Sequence, residues 1–318
     1  MRLRLVEKLG SFLRTTCVIA LNDFDHFGSN LHNMTDLPLR RSFKDSHGIE
    51  IVFWEWPVAN PKAAVQIVHG IGEHARRYDH VAAKLNSLGY AVYADDHRGH
   101  GQTGKGMVAS GITKKQGYLG PGGMDAVLGE VRQLTELMKA EHPNTKLVMI
   151  GHSWGSMLAQ RLYDKYSSDL SAFVLSGSSL LIPGIINGGK LNKKWAHLPN
   201  ATGGEWLSRD LEVGRKFRED PLNFGESFAT VVGLIDTLKL MGRPKKTIDT
   251  SVPILIQVGS DDSLAGERGN VLLANAYRKL GVDDIVLFVY EGARHEIYNE
   301  TNKEEVLNDL AKWLEAHL

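Results

Sequence analysis

A mostly parallel α/β sheet, flanked by helices and broken once by a long helical insertion, is the fold class the sequence predicts. Three observations predict it. Short apolar runs rich in β-branched residues recur along the chain, helical patterns stand between most of them, and the alternation stops at about residue 178 and resumes at about 252. Continuously apolar strands are buried on both faces, and strand–helix alternation builds parallel sheets. A chain of 318 residues buries a substantial core without staples.

The elements follow in order. Residues 1–33 show no clear period. Arg2, Arg4, Lys8 and Arg14 precede an apolar run of only Cys17 to Leu21, too short for the roughly 7–15 apolar residues of a secretion signal. Two readings stand side by side: a poorly ordered N-terminal extension over 1–33, lying upstream of the natural start, and a short helix at 3–14 docked on the surface. The first regular run is Ile49–Val58. Ala64–His69, Tyr90–Ala94, Lys146–Ile150, Ala172–Leu175, Ile254–Val258 and Ile285–Tyr290 each read as a short buried strand. In 124–142, Val127, Val131, Leu134 and Met138 share one helical face, and Val306, Leu307, Leu310, Trp313 and Leu314 form a C-terminal apolar stripe. The core is therefore expected over 34–177 and 251–318. The interval 178–250, with helix-like pieces at 209–219 and 226–241, is expected to lie as a cap over the strand ends, where ligands of such sheets bind.

Composition removes several function classes. The 37 basic and 37 acidic side chains cancel, which argues against nucleic-acid binding through a general basic surface. No apolar run approaches the roughly 20 residues of a membrane span. Cys17 is the single cysteine, so no intramolecular disulfide forms, as suits a reducing cytoplasm, the expected location.

The strongest local signal is Lys146-Leu-Val-Met-Ile-Gly-His-Ser-Trp-Gly-Ser156, a strand running into Gly151-His152-Ser153-Trp154-Gly155 and on into a helix. This is G-x-S-x-G in the context that lifts a serine hydroxyl above a sheet edge. Such a serine needs a histidine to take its proton and a carboxylate to orient that histidine. Downstream, Ile254–Val258 ends in Gly259-Ser260-Asp261-Asp262, and Ile285–Tyr290 ends in Glu291-Gly292-Ala293-Arg294-His295. Both stretches leave strands at the same edge as Ser153. His295 is the candidate base, and Asp261 and Asp262 both stand as candidate acids. The oxyanion donors are expected to be the backbone N–H groups of Trp154 and of Ile71, in His69-Gly70-Ile71-Gly72-Glu73-His74. His69 is expected to hydrogen-bond backbone within its loop. The histidines of Asp96-His97-Arg98-Gly99-His100-Gly101 lack the spacing of a metal site, so no metal is expected, and Asp96 and Arg98 are expected to brace the active-site loops. Gly120 to Gly123 do not form a dinucleotide fingerprint, and no cofactor is expected.

Taken together, residues 40 to 318 resemble the monoacylglycerol lipase and lysophospholipase-like group of α/β-hydrolases, in particular its bacterial members. The resemblance rests on His69 to His74 with Arg77-Tyr78, Asp96 to Gly101, the elbow at 151–155, Leu207-Ser208-Arg209, Asp220-Pro221-Leu222, Gly259 to Asp262, and Tyr290-Glu291-Gly292 with His295. It implies an α/β-hydrolase fold with a helical cap, and a Ser153, Asp262 and His295 triad. Of the two candidate acids, the family's position is the last of G-x-x-D, here Asp262. Trp154 and Ser156 stand where the family usually has Met and a second Gly. Trp154 is expected to narrow the acyl side of the pocket. The cap begins apolar, then counts 11 Lys/Arg and 8 Asp/Glu over 180–250, which predicts a mixed outer surface without a wide lipid-facing patch. Leu181, Ile182, Ile185, Trp206 and Phe228 are the expected pocket lining.

The expected function is hydrolysis of small to medium carboxylic monoesters, monoacylglycerols foremost, with a small-molecule ester as the partner. Aromatic-acid monoalkyl esters are the alternative substrates. A silent ligand-binding hydrolase fold would be expected to lack a triad member, and all three candidates are present.

Overall fold

The computed structural model describes residues 4–5, 38–187, 189–225 and 228–318. Its strands are β1 (Arg4–Leu5), β2 (Leu39–Lys44), β3 (Glu50–Trp56), β4 (Ala63–Val68), β5 (Tyr90–Asp95), β6 (Lys146–His152), β7 (Ala172–Ser176), β8 (Ile254–Gly259) and β9 (Ile285–Tyr290). Its α-helices are α1 (Asp79–Ser87), α2 (Gly101–Ala109), α3 (Gly123–Glu141), α4 (Trp154–Tyr166), α5 (Leu211–Glu219), α6 (Phe228–Val232), α7 (Leu234–Leu240), α8 (Gly266–Arg278) and α9 (Lys303–His317). The strands form one sheet in the order β1-β9-β8-β7-β6-β4-β5-β3-β2. From β5 to β9 the neighbours run parallel, while β3 and β2 add an antiparallel edge.

Strands β4, β5, β6, β7 and β8 are almost wholly buried, as their unbroken apolar runs require of strands covered on both faces. One face packs against Val127, Val131 and Leu134 of α3, Leu158 and Leu162 of α4, and Leu273 and Tyr277 of α8. The other packs against Val81 and Leu85 of α1 and Val306, Leu310 and Trp313 of α9. The mostly parallel sheet predicted from sequence is thus the one observed. β2 is an addition: it alternates half-buried and exposed residues at the sheet edge, so it lacks the apolar run that marks the central strands.

The readings of residues 1–33 fall almost wholly outside the described residues. Arg4 and Leu5 pair antiparallel with Val289 and Phe288, so the helix considered for 3–14 does not include them.

Between β7 and β8 the chain leaves the sheet and packs on loops at the carboxyl ends of its strands. The Phe224 N–H donates to Gly72 O (3.0 Å), and Glu296 N–H donates to Leu207 O (2.7 Å). The helix expected over 226–241 is two, α6 and α7, separated by Gly233 at φ 77°. One sequence expectation is corrected here. Leu234, Ile235 and Leu238 of α7 are 75%, 76% and 59% exposed, so this segment carries an apolar ridge on its outer face. Its mean charge concealed that, because charges elsewhere in the segment say nothing about one helical face.

Candidate active site

Ser153 sits at the turn between β6 and α4 with φ 53° and ψ −123°, a conformation that side chains rarely adopt and that is retained where surrounding packing enforces it. The packing here is close. A Cβ on Gly155 would stand 2.1 Å from Val68 O, and one on Gly151 would stand 2.8 Å from Ser156 Cα. Both glycines are therefore required for the strand and helix to meet at this angle. The Ser156 hydroxyl donates to Ser153 O at 2.6 Å and lies 2.8 Å from Ser178 Oγ, tying the turn to the end of β7.

The structure brings the three sequence-predicted residues together. Ser153 Oγ lies 2.8 Å from His295 Nε2, and His295 Nδ1 lies 3.0 Å from each Asp262 carboxylate oxygen. Asp262 Oδ1 also accepts the Leu264 N–H at 2.8 Å. With the Nδ1–H donating to the carboxylate, Nε2 presents its lone pair to the serine hydroxyl, the arrangement that activates a serine oxygen as a nucleophile. Burial alone would lower the His295 pKa. The Asp262 charge and hydrogen bond, with Glu296 and Glu73 behind, outweigh it and raise the pKa above the ordinary 6.5. His152, whose ring centroid is 5.0 Å from that of His295, is pushed down to about 4 by burial and by His295. The other candidate acid, Asp261, instead pairs at the surface with Lys194 at 2.7 Å.

The loop after β4 is fixed from both sides. His69 Nε2 accepts the His97 backbone N–H (3.1 Å), so its proton is on Nδ1, which donates to Gly70 O at 2.7 Å. Burial holds this imidazole neutral by lowering its pKa well below 6.5. In a planar trans peptide the carbonyl and the following N–H point opposite ways, so holding Gly70 O aims the Ile71 N–H away from His69. The Gly70 N–H donates to Glu73 Oε1 at 2.6 Å. A Cβ on Gly70 would lie 3.2 Å from Ser153 Cβ, which places this loop beside the serine. Trp154 opens α4, where backbone N–H groups have no helical acceptor.

A buried ionic network was not legible in the sequence. Glu73 also accepts from the Tyr78 hydroxyl (2.8 Å) and from Arg77 (2.5 Å), and Arg77 forks onto Glu296 at 2.8 and 2.7 Å. Burial opposes ionisation of Glu296, but the Arg77 charge prevails and brings its pKa down to about 2. The loop of Ile71 and the loop of His295 are thereby joined through one guanidinium. Asp96 accepts from the backbone N–H of Ala75 (2.9 Å) and Gln102 (2.8 Å), and Arg98 donates to Asp45 (2.7 Å) and Leu119 O (2.9 Å), the bracing expected of them.

Other placements differ from expectation. Trp154 is 1% exposed, with its ring stacked on His100 (5.1 Å) and edge-on to His97 (5.6 Å). It is part of the core and does not narrow an open pocket, because these rings cover it. Leu181 is 0% exposed and bridges to Gly242, so it lines no open space either. Ile182 is partly buried against the core, and Ile185 lies close to Gly269. The Phe228 side chain lies outside the described residues. Trp206 lies directly on His295, with ring centroids 4.8 Å apart. A groove of about 560 Å³ beside Asp262 is bordered by Asn187, Lys190, Leu191, Lys193, Lys194 and Ser260, and none of the described residues expected to line the pocket borders it.

Among the described residues, Asp95, His97 and Glu130 hold ligand-type atoms within 4.8 Å of one another, all buried. His97 Nδ1 is 2.7 Å from Asp95, and Arg98 stands 3.5 Å from Glu130. His97 and Asp95 are hydrogen-bonded to each other and Glu130 accepts the Arg98 backbone N–H at 2.8 Å, while Asp95 Oδ1, His97 Nε2 and Glu130 Oε2 have no hydrogen-bond partner among the described residues.

The model of the family described as serine aminopeptidase, S33 (Hydrolase_4) matches residues 59–302. A monoacylglycerol lipase of Mycolicibacterium smegmatis is 31% identical over 288 residues, covering 87% of this chain and 97% of that one. A thermostable carboxyl esterase from Bacillus coagulans, solved with glycerol, superposes with a TM-score of 0.77 at 26% identity, over 89% of this chain and 99% of that chain. A soluble variant of the Saccharomyces cerevisiae monoglyceride lipase, solved with a substrate analog, superposes at 0.70 with 21% identity, over 91% and 98%, and speaks for the fold alone.

Proposed function

The chain belongs to the serine aminopeptidase, S33 (Hydrolase_4) family, and from that membership we propose that it hydrolyses carboxylic monoesters, monoacylglycerols foremost, through an acyl-enzyme on Ser153. The observation that carries this reading is the continuous contact from Ser153 Oγ through His295 to Asp262 at 2.8 and 3.0 Å. His295 takes the hydroxyl proton as Ser153 attacks the ester carbonyl, and the backbone N–H groups of Ile71 and Trp154 stabilise the oxyanion. Collapse expels the alcohol, which receives the proton from His295. Water, deprotonated by the same imidazole, then attacks the acyl-enzyme and releases the acid, returning Ser153 to its hydroxyl form.

The substrate is assigned from the relatives: the match to a monoacylglycerol lipase spans 87% of this chain and 97% of that one. We assign that segment as the cap, supported by its backbone bonds to Gly72 and to the loop of His295. No helix among the described residues is long and apolar enough to cross a membrane, and the single cysteine suits a reducing cytoplasm.

A series of monoacylglycerols and p-nitrophenyl esters, run beside an emulsified triacylglycerol, tests the assignment. Each added methylene of the acyl chain is worth up to about 0.8 kcal/mol, or about fourfold in kcat/KM, while it enters an apolar site. The expected result is a rise to a medium-chain optimum and little cleavage of triacylglycerol, because Ser153 and His295 are both buried. Efficient triacylglycerol cleavage, with a jump in rate above the solubility limit, would contradict it. Activity confined to aromatic-acid esters would move the substrate to that class.

A further inference from the structure

Trp206 was expected to line the acyl pocket, but its position suits another task. Its indole lies over the His295 imidazole, with ring centroids 4.8 Å apart and planes inclined by 32°. The residue is held there by a built turn. Its own N–H donates to Asn192 Oδ1 (2.8 Å), its carbonyl accepts the His295 N–H (3.3 Å), and Leu207 O accepts the Glu296 N–H (2.7 Å). Arg294 clamps both sides of it by donating to Glu205 O (2.5 Å) and Ser208 O (2.9 Å). The indole therefore faces the imidazole from the cap side in a fixed geometry.

The groups around His295 leave this face to the indole. Asp262 occupies Nδ1 and Ser153 occupies Nε2. Glu296 and Glu73 act on the ring charge from the side of Arg77, and His152, its pKa pushed down to about 4 by burial and by His295, lies 5.0 Å away as a neutral ring. A cation within about 6 Å of an aromatic face is attracted by its negative π surface, and more strongly where water is excluded.

We infer that Trp206 is a positioning residue for the reaction: its indole face stabilises the imidazolium that His295 becomes on accepting the Ser153 proton, and it fixes the plane of that ring. The inference rests on His295 acting as the base. It makes the cap a contributor to the proton transfer as well as a cover for the substrate.

The test keeps the size of the side chain and changes only its π face. The protein is prepared with tryptophan replaced by fluorinated tryptophans, in the wild type and in Trp206→Phe, so that the other indoles are controlled for. The pKa of His295 is read from its imidazole C2-proton signal, assigned by its loss in His295→Gln, and this reading needs no turnover. The acid limb of kcat/KM is measured in parallel. The expected result is a fall in the His295 pKa with increasing fluorination, by about 0.5 to 1.5 pH units, the range from an exposed to a desolvated cation–aromatic contact. The acid limb should move down with it, kcat should fall and KM should change little. In Trp206→Phe, fluorination should move neither. An unchanged pKa across the wild-type series, or a change in KM alone, would overturn the inference and leave Trp206 a pocket wall. A pKa that falls while the ester rate ignores it would show that the contact stands and the assigned base does not.

Discussion

Replacing Ser153 by Ala abolishes ester hydrolysis while leaving the melting temperature nearly unchanged. Within the triad, the Ser153 hydroxyl's contact is with His295 Nε2 at 2.8 Å, so its removal leaves a lone pair at Nε2 without a proton to take. The turn itself is held by backbone and glycine contacts: Ser153 N–H donates to Ser176 O at 3.0 Å, and Ser156 N–H donates to Ser153 O at 2.9 Å. Neither bond needs the hydroxyl, and Ala tolerates φ 53° about as well as Ser does. Where a serine, a histidine and a carboxylate act as one unit, loss of the nucleophile costs about 10⁶ in kcat. Hydrolysis of a p-nitrophenyl ester, followed beside a thermal melt, checks both halves. Substantial residual turnover in a folded variant would place the nucleophile elsewhere.

Asp262→Asn should lower kcat by about 10⁴, the cost of the equivalent change in a serine protease, where the amide favours the wrong imidazole tautomer. The geometry transfers: both Asp262 oxygens lie 3.0 Å from His295 Nδ1, and an amide can place an NH₂ there in place of an acceptor. Asp261→Asn should change kcat severalfold at most. The Asp261 carboxylate pairs with Lys194, both of them exposed, and an exposed pair of this kind contributes about 0–1 kcal/mol. Steady-state kinetics of the two variants on one ester decide the order, and the reverse ranking would move the acid one residue upstream.

How much of this could be read from the chain depended on whether the parts were local. The elbow was legible because strand, nucleophile, both glycines and helix are contiguous from Lys146 to Tyr166. Asp262 and His295 were legible as positions because each follows a buried strand, and parallel strands deliver their following loops to one edge. The choice between Asp261 and Asp262 needed the resemblance, since spacing treats them alike. The network of Glu73, Arg77 and Glu296 was not legible: Arg77 and Glu296 are 219 residues apart, and charge pairing at that range leaves no periodic trace. The exposed ridge of Leu234, Ile235 and Leu238 was missed for a different reason: a count of charges over 180–250 says nothing about one helical face. Their spacing is that of an apolar stripe, and a stripe reads the same whether it faces a core or solvent. The contact of Trp206 with His295 was not legible, because a sequence names the aromatic but not what its ring covers.

The central claim is that ester cleavage passes through a covalent bond to Ser153. The most direct measurement is the mass of the protein, and of its peptides, after treatment with a serine-directed organophosphonate. The account predicts a single adduct on the peptide carrying Ser153, formed in step with loss of activity and absent from Ser153→Ala. An adduct on a different serine, or complete inactivation with Ser153 unmodified, would contradict it.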